Sequence, residues 1–374
     1  MSAVPPPPPL DALGVDGRPL SDDHRDPGDH RSMVLAATGL GAAVLIAVLS
    51  VLPAPFAIGG PGPTFDTLSE VDGVPLVEIE GADTYPASGE LRLTTVSVAR
   101  GSSSAFTLGQ VLRGWAEEAS YVVPEEEVFG TPDQEEVFEE RSAQAWITSQ
   151  ESATVAALEA LDRPVPAELE VAEVIETSNA TGLLEPGDVI VALNGVEVPT
   201  FSALSDQLAE TAPGDEVTVE YERDGARGEA SFATLDDGSG GALMGLGIDP
   251  QFELPIDVTV QIDSVGGPSA GLMFSLAIMD MLTEADELDD ARVAGTGTIN
   301  ASGDVGSIGG ITMKMHGAVE AGAEYFLAPV ENCGEVVGNV PEGLDVYSVD
   351  TLDDAYEAVV GIGSGDTAQL QSCS

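Results

Sequence analysis

Two residues in the C-terminal third of the chain, a serine and a lysine, could act together as a nucleophile and a base. Lys314 is the only lysine among 374 residues, and it follows Ser269 in glycine-rich, apolar surroundings. An ε-amine that is buried among apolar groups loses its proton near neutral pH, whereas a guanidinium does not. The pair is therefore a candidate nucleophile and general base.

Histidine, the usual base for a serine nucleophile, is nearly absent. His24 and His30 lie in the N-terminal 31 residues, and His316 is two positions from Lys314, so the two side chains would point away from each other on a helix. A Ser-Lys pair is a known variant of the serine triad. Two ordinary roles stay open at this point: Ser269 as a helix N-cap and Lys314 as a solvated surface group.

The charge of the chain excludes one class of partner. Twelve basic residues face 65 acidic ones, which gives a formal net charge of −53. Such a chain repels a phosphate backbone, so we exclude nucleic acid as a partner. At 43% hydrophobic residues the sequence still has enough apolar side chains for sizeable cores.

An uncharged apolar segment near the N-terminus predicts a membrane anchor. Residues 33–52 (MVLAATGLGAAVLIAVLSVL) supply the ~20 apolar positions that cross a bilayer. Three arginines precede the segment and the next basic residue after it is Arg92, so the N-terminus is predicted to be cytoplasmic and the bulk of the chain extracytoplasmic. We assign residues 1–31 to a disordered cytoplasmic tail and residues 32–57 to the membrane helix. A cleaved signal peptide is the alternative.

Cys333 and Cys373 are the only cysteines. An even count in an oxidising compartment favours one disulfide, and two unrelated thiols are the alternative. Two distant cysteines without a neighbouring histidine do not suggest a metal site. We expect neither a metal nor a cofactor.

Residues 164–235 have the order of a small β domain. A strand is followed by GLLEPGDVIVALNGVEV at residues 182–198, in which Asn194-Gly195 marks a tight turn, and then by a helix and a further strand. This segment resembles a PDZ domain of the bacterial protease type. The resemblance implies that an extended peptide or chain end adds as a strand, with its carboxylate held by a loop near Val165 to Leu169. A purely structural PDZ domain is the alternative.

The last domain, residues 242–361, alternates strands and helices, which indicates an α/β or α+β fold. GGPSAGLMFSLAIMD at residues 266–280 and GTGTINASGDVGSIGGITMKMHGAVEAGA at residues 295–323 resemble the proteolytic domain of the Lon family, in its membrane-anchored PDZ-Lon branch. That resemblance implies a serine nucleophile at Ser269, a general-base lysine at Lys314 and an orienting threonine at Thr296. Residues 362–374 form a C-terminal tail.

Residues 58–163 resemble the first strands and the first helix of the same proteolytic domain, so we infer an α+β protein in which the PDZ domain is inserted into the Lon-like domain. An unrelated N-terminal β module is the alternative. Gly266 stands where many Lon enzymes have an acid. A phosphate-binding P-loop needs Gly-Lys-Ser/Thr, which this chain lacks, so we expect no use of ATP.

These features predict an ATP-independent serine endopeptidase that cleaves exported or membrane-associated proteins, with the PDZ domain presenting the substrate. Protein or peptide substrates and membrane lipid are the expected partners, and the family resemblance suggests a ring-shaped homo-oligomer. Two rivals remain: a non-catalytic protein that binds peptides through its PDZ domain, and a structural membrane scaffold with an inactive Lon-like domain.

Overall fold

A computed structural model describes residues 27–49, 55–71, 73–100, 107–117, 119–130, 132–238, 240–262 and 265–373. Most of the predicted cytoplasmic tail lies outside these residues, as do positions 50–54 of the predicted membrane helix. The described helices are α1 (Pro27–Leu49), α2 (Leu108–Gly114), α3 (Glu125–Phe129), α4 (Pro132–Ala160), α5 (Phe201–Ala209), α6 (Gly271–Leu282), α7 (Ile311–Glu320), α8 (Cys333–Val336) and α9 (Leu352–Ser364).

The described strands of the first part of the chain are β1 (Phe56–Asp66), β2 (Glu70–Val71), β3 (Val74–Pro75), β4 (Val77–Glu80), β5 (Glu90–Arg100) and β6 (Tyr121–Pro124). Those of the middle part are β7 (Ala167–Val174), β8 (Val189–Leu193), β9 (Val196–Glu197), β10 (Glu216–Arg223), β11 (Ala226–Ala233), β12 (Leu235–Asp236), β13 (Ala242–Leu243) and β14 (Leu246–Phe252). The last are β15 (Asp257–Val260), β16 (Arg292–Gly295), β17 (Thr298–Ile299), β18 (Val305–Gly306), β19 (Tyr325–Pro329) and β20 (Asp345–Val349).

The fold is α+β, as predicted, and one mixed sheet joins the two ends of the chain. Its order is β20-β19-β16-β5-β1-β6, with parallel pairs from β20 to β5 and antiparallel pairs from β5 to β6. Strands β1, β5 and β6 precede the middle β domain in sequence, whereas β16, β19 and β20 follow it. The middle domain is therefore inserted into the domain that this sheet organises.

The mixed sheet has a helical layer on each face. Helix α6 lies in the larger core, where 11 of its 12 residues are buried, and the C-terminal half of α4 and helix α9 pack there with it. Helix α7 packs on the opposite face, against Phe326 and Val346. An apolar helix such as α6 needs protein on all sides. The sheet and both layers thus fix the start of α6 relative to α7.

Helix α4 differs from our prediction. The acidic composition of residues 124–141 predicts a solvated loop with a short helix, and the apolar spacing of residues 151–161 predicts a separate helix. The structure has the short helix α3, but α4 then runs without a break for 29 residues. The described side chains of its first half are mostly exposed, whereas residues 153–158 of its second half are buried. The buried second half anchors the helix, and the charged first half continues it into solvent.

The inserted domain has a separate core. Its sheet has the order β11-β10-β8-β7-β14, and its apolar cluster includes Leu169, Ile190, Leu204 and Phe232. It contacts the larger domain through helix α5, where the Ser202 hydroxyl hydrogen-bonds to the Glu159 carboxylate at the end of α4.

Helix α1 stands apart from both cores. Residues 31–48 are exposed, and from Arg31 to Leu49 the helix is long and apolar enough to cross a membrane by length and composition.

Candidate active site

Ser269 lies immediately before the buried helix α6. Ala270 is the N-cap of this helix, so Ser269 is one residue outside it and is not the cap. Gly267 has a φ of 81°, a left-handed conformation that favours glycine. The turn therefore depends on the glycine that precedes Pro268 and leaves Ser269 half-buried at the domain surface.

Hydrogen bonds hold this turn on three sides. Ser149 Oγ of α4 donates to the Pro268 carbonyl at 3.1 Å, and the Gly267 N–H donates to the Ser142 carbonyl at 3.2 Å. The Ser269 carbonyl accepts the Gly297 N–H at 3.0 Å. The backbone around Ser269 is thus held by residues that lie before and after the inserted domain in sequence.

Lys314 reaches Ser269 from the other face of the sheet. It is the fourth residue of α7, a helix that begins after Gly310, whose φ is 75°. Its Nζ lies 2.8 Å from Ser269 Oγ and 2.8 Å from Thr296 Oγ1. The structure therefore brings together the three residues that the sequence singled out.

The lysine is buried without a counter-ion. Only 3% of its surface is exposed, and no carboxylate of the described residues forms an ion pair with it. Burial lowers the pKa of the Lys314 amine from its ordinary value of 10.5 to about 8. A substantial share of the amine is therefore neutral slightly above neutral pH, as a base requires.

Thr296 determines how the amine can be oriented. The Thr296 hydroxyl donates its single hydrogen to the Ser269 carbonyl at 2.9 Å, and Thr296 is fully buried. It can then only accept a hydrogen bond from Lys314. An N–H of the neutral amine points at Thr296, which leaves the nitrogen lone pair for Ser269.

Two backbone amides at the turn are available to an incoming group. No hydrogen bond within the described part of the chain uses the N–H of Ser269 or of Ala270. Both precede or begin the first turn of α6, where amides lack intrahelical acceptors. They are candidates for stabilising an oxyanion.

The other sequence candidates, which are His316 and the two cysteines, do not contact Ser269 or Lys314 through any described hydrogen bond. No hydrogen bond of the described residues joins His316 to Ser269 or Lys314. Cys333 and Cys373 form a disulfide that ties the C-terminal tail to α8. Within the described residues there is no group of three or more His, Cys, Asp or Glu side chains that could hold a metal ion.

Sequence reasoning missed Ser149 and misplaced the peptide-binding edge of the inserted domain. We expected a carboxylate loop near Val165 to Leu169, but that segment leads into β7, which is paired on both sides by β8 and β14. The expectation is wrong because an interior strand cannot accept another strand. The open edge is β14, preceded by Gly245, whose φ is 69°. The sequence signal for this edge was a pair of glycines ahead of an apolar strand, in Gly245-Leu246-Gly247.

Comparison with known proteins assigns both domains. Residues 149–234 match the model of the PDZ domain, and residues 247–361 match that of the Lon protease (S16) C-terminal proteolytic domain. The first twelve residues of the PDZ match belong to α4, whose second half packs into the larger core.

Several curated relatives are Lon proteases. The archaeal Lon protease of Methanothermobacter thermautotrophicus is 32% identical over 122 residues, which are 32% of this chain and 18% of the relative. Lon protease 1 of Hydrogenovibrio crunogenus is 37% identical over 94 residues, 24% of this chain and 11% of the relative. The Lon protease of Azospirillum brasilense is 27% identical over 203 residues, 51% of this chain and 22% of the relative. The chain thus spans less than a quarter of the length of these relatives.

Among solved structures, the PDZ domain of an SdrC-like protein of Listeria innocua is 27% identical and covers 22% of this chain and 92% of that one, with a TM-score of 0.21. The family models and the Lon relatives agree with the two cores seen in the structure. The chain combines a PDZ domain with a proteolytic domain of the Lon type.

Proposed function

We propose that this chain is a serine endopeptidase in which Ser269 is the nucleophile and Lys314 the general base. The observation that carries the proposal is the 2.8 Å distance between Lys314 Nζ and Ser269 Oγ, made by an amine that is buried and unpaired with any described carboxylate. A nucleophile within hydrogen-bond reach of its base, with a third group orienting the base, is the arrangement that covalent catalysis requires.

The reaction follows from this geometry. Ser269 Oγ attacks the peptide carbonyl while its proton passes to Lys314 Nζ, and the charge that develops on the carbonyl oxygen is held by the N–H groups of Ser269 and Ala270. Lys314 then gives the proton to the leaving amine, and an acyl-enzyme remains. Water attacks the ester carbon, its proton passes to Lys314, and Ser269 recovers its hydrogen as the acid product leaves.

The proposed setting is the outer side of the cytoplasmic membrane. In this proposal helix α1 serves as a single-pass anchor, which its length and composition support, and the arginines that precede it favour a cytoplasmic N-terminus. The chain contains no Gly-Lys-Ser/Thr motif, so cleavage proceeds without ATP. Because nothing then unfolds the substrate, unfolded or flexible proteins and peptides are the substrate class, and the PDZ domain presents them.

A direct test compares the full chain in detergent micelles with Ser269→Ala and Lys314→Arg, using a labelled unfolded protein such as casein. Ser364→Ala is a matched control because Ser364 is exposed on α9, in a different helix from the candidate site. We expect cleavage by the unmodified chain and by the control, unchanged by ATP with magnesium. Equal cleavage by all four proteins would refute the dyad.

A non-catalytic PDZ protein is the second candidate, favoured by the open edge of β14. Under that function the unmodified chain binds peptides with a free C-terminus but releases no product over a range of unfolded substrates. A fluorophosphonate probe provides a second readout, because it labels an activated serine whether or not the chosen substrate is cleaved. Labelling that is lost in Ser269→Ala supports the peptidase.

A further inference from the structure

Helix α2 carries two large apolar side chains that are mostly exposed. Leu112 is 51% exposed, and Trp115, the residue that caps the C-terminal end of the helix, is 61% exposed. Residues three positions apart lie on the same side of a helix. Leu112 and Trp115 therefore form one outward apolar face, which we call the α2 face.

The opposite side of α2 packs on the mixed sheet. Val111 is buried, and a side chain added at Gly114 would meet Val122 of β6 at 2.9 Å. The ring of Trp115 also contacts Phe56, the first residue of β1, edge to face, with 6.4 Å between the ring centroids. The α2 face is thus held pointing away from the sheet.

The α2 face lies beside the end of the predicted membrane helix. Helices α1 and α2 contact each other, and a Cβ added at Gly109 would lie 3.9 Å from the Leu49 carbonyl oxygen. Gly109 is three positions before Leu112, so it lies on the side of the α2 face. Leu49 is three positions from the end of the apolar segment at residue 52, a reach of at most about 10 Å. If α1 spans a bilayer, α2 lies at the outer boundary of that bilayer.

The charges near the α2 face do not attract an anionic surface. Arg113 of α2 is exposed and pairs with Glu117 at 3.0 Å. Glu126 and Glu127 are exposed at the start of α3, whose first N–H donates to the carbonyl of the residue before β1. Acidic groups therefore outnumber basic ones here, and any attraction to a lipid surface comes from the apolar side chains.

We propose that the α2 face is a second membrane contact, which inserts Leu112 and Trp115 into the headgroup region of the outer phospholipid leaflet. A tryptophan ring suits this depth because its body is apolar and its N–H reaches water. The proposal rests on the proposed function, in which α1 anchors the chain.

A second contact restrains the proteolytic domain on the membrane. With α1 alone, the domain is attached at one point and can rotate about it. Helix α2 packs on β1 and β6, two strands of the mixed sheet on which the candidate site is built. Insertion of the α2 face therefore fixes the orientation of the whole sheet, and of Ser269 and Lys314, relative to the bilayer.

The two tryptophans of the chain provide a test with an internal control. Trp146 packs edge to face on Phe274 at the larger core, with 5.3 Å between the ring centroids. The full chain is reconstituted in phosphatidylcholine vesicles in three forms: unmodified, Trp146→Phe and Trp115→Phe. Tryptophan emission is compared between vesicles of ordinary lipid and vesicles whose acyl chains are brominated near the headgroup, because bromine quenches only a ring that touches the lipid.

We expect Trp146→Phe, which keeps only Trp115, to lose most of its emission in brominated vesicles. Trp115→Phe, which keeps only Trp146, should lose none. The quenching should be equal at low and high ionic strength, because salt screens charges and leaves an apolar contact in place. The difference between the unmodified chain and Trp115→Phe gives the same information if Trp146→Phe folds poorly.

Two results would overturn the proposal. Emission from Trp115 at long wavelength, unquenched by brominated lipid, would mean that the α2 face stays in water. Emission at short wavelength without quenching would assign the face to a second copy of the chain or to another protein.

A charge on the α2 face gives a second readout. In the Trp146→Phe chain, Leu112→Asp should weaken the quenching of Trp115, because a carboxylate next to the ring opposes insertion into lipid. Val360→Asp is the matched control, since Val360 is an exposed apolar residue on α9. Unchanged quenching with Leu112→Asp would remove Leu112 from the contact.

Flotation of the same vesicles in alkaline carbonate separates this proposal from the anchor on which it rests. A chain that floats with the lipid while Trp115 stays unquenched would refute the α2 contact alone. A chain that does not float would refute the anchor and the α2 contact together. Neither readout requires cleavage, so the proposed roles of Ser269 and Lys314 are tested separately.

Discussion

The hydroxyl of Thr296 donates to the carbonyl of Ser269, the same residue whose Oγ faces Lys314. One threonine thus contacts the backbone of Ser269 and the amine of Lys314. This relationship makes Thr296 a positioning residue, and the first prediction concerns it.

Thr296→Val should lower kcat by up to about a hundredfold with little change in KM, because the lone pair of Lys314 is no longer directed at Ser269. Thr296→Ser keeps the hydroxyl and should recover most of the rate. Steady-state kinetics on a short fluorogenic peptide measures both. Equal rates for Val and Ser would mean that only the packing at position 296 matters.

The rate should depend on pH through the lysine. Its pKa is lowered to about 8 by burial, and the neutral form is the proposed base. Below pH 8 the rate should rise about tenfold per pH unit, and it should level off above pH 8 to 9. The pH dependence of kcat/KM between pH 6 and 10 tests this, and a flat profile would contradict a lysine base.

Burial of Lys314 should cost stability at neutral pH. A lysine pKa that is lower in the folded state penalises folding fully below pH 8, and the penalty disappears as the pH rises toward 10.5. Lys314→Met has a similar volume without the charge. It should raise the free energy of unfolding by about 1–3 kcal/mol at pH 6.5. Denaturant unfolding at pH 6.5 and 10 should show the gain shrinking at the higher pH.

A second buried group should make stability pH-dependent from the acidic side. Asp280 on α6 is 4% exposed, and burial, followed by the nearby Glu287 carboxylate, raises its pKa to about 7. No described N–H or O–H donor contacts its oxygens. Tyr356 donates to Glu287 at 2.7 Å, so Glu287 has a partner.

A raised carboxyl pKa contributes stability that is complete below pH 4 and is lost as the pH rises through 7. Asp280→Asn should therefore stabilise the chain by about 1–3 kcal/mol at pH 8.5 and by much less at pH 5. Thermal unfolding at the two pH values is the measurement. The same gain at both values would show that Asp280 does not titrate in this range.

The disulfide should matter more for stability than for catalysis. It closes a segment with a sequence separation of 40, and Cys373 packs beside the core that contains Met315 of α7. Cys333→Ser with Cys373→Ser should lower the free energy of unfolding by about 2–4 kcal/mol. Reduction of the unmodified chain should give the same loss, whereas the double variant should not respond to reductant.

The sequence allowed the candidate site to be predicted because its residues are rare or lie in distinctive patterns. Lys314 is the only lysine, and the glycines around Ser269 and Lys314 mark turns that other residues do not adopt easily. The alternation of strands and helices in the C-terminal domain was also predictable, because the spacing of apolar residues differs between strands and helices. Apolar residues recur at the positions that face the core, so the local sequence shows which face of a strand or helix is buried.

Long-range features were harder to predict. The first half of α4 has the composition of a solvated loop, and only the burial of its second half shows that one helix runs through both. The open edge of the PDZ domain depends on which strand comes last in the sheet. The residues around Val165 and Gly245 do not reveal that order. Ser149 lies 119 positions from the carbonyl that it supports, so no spacing rule could associate the two.

The shared sheet also determines when the candidate site can be assembled during synthesis. Strand β5 is made early, but its parallel neighbour β16 emerges only after the whole PDZ domain, and β19 and β20 later still. The PDZ domain has its own core and can fold as a unit while the first strands wait. Lys314 comes into position only when α7 packs on the finished sheet. A nascent chain therefore carries the Ser269 turn for some time before Lys314 can contact it, so the proposed peptidase stays inactive until the fold is complete.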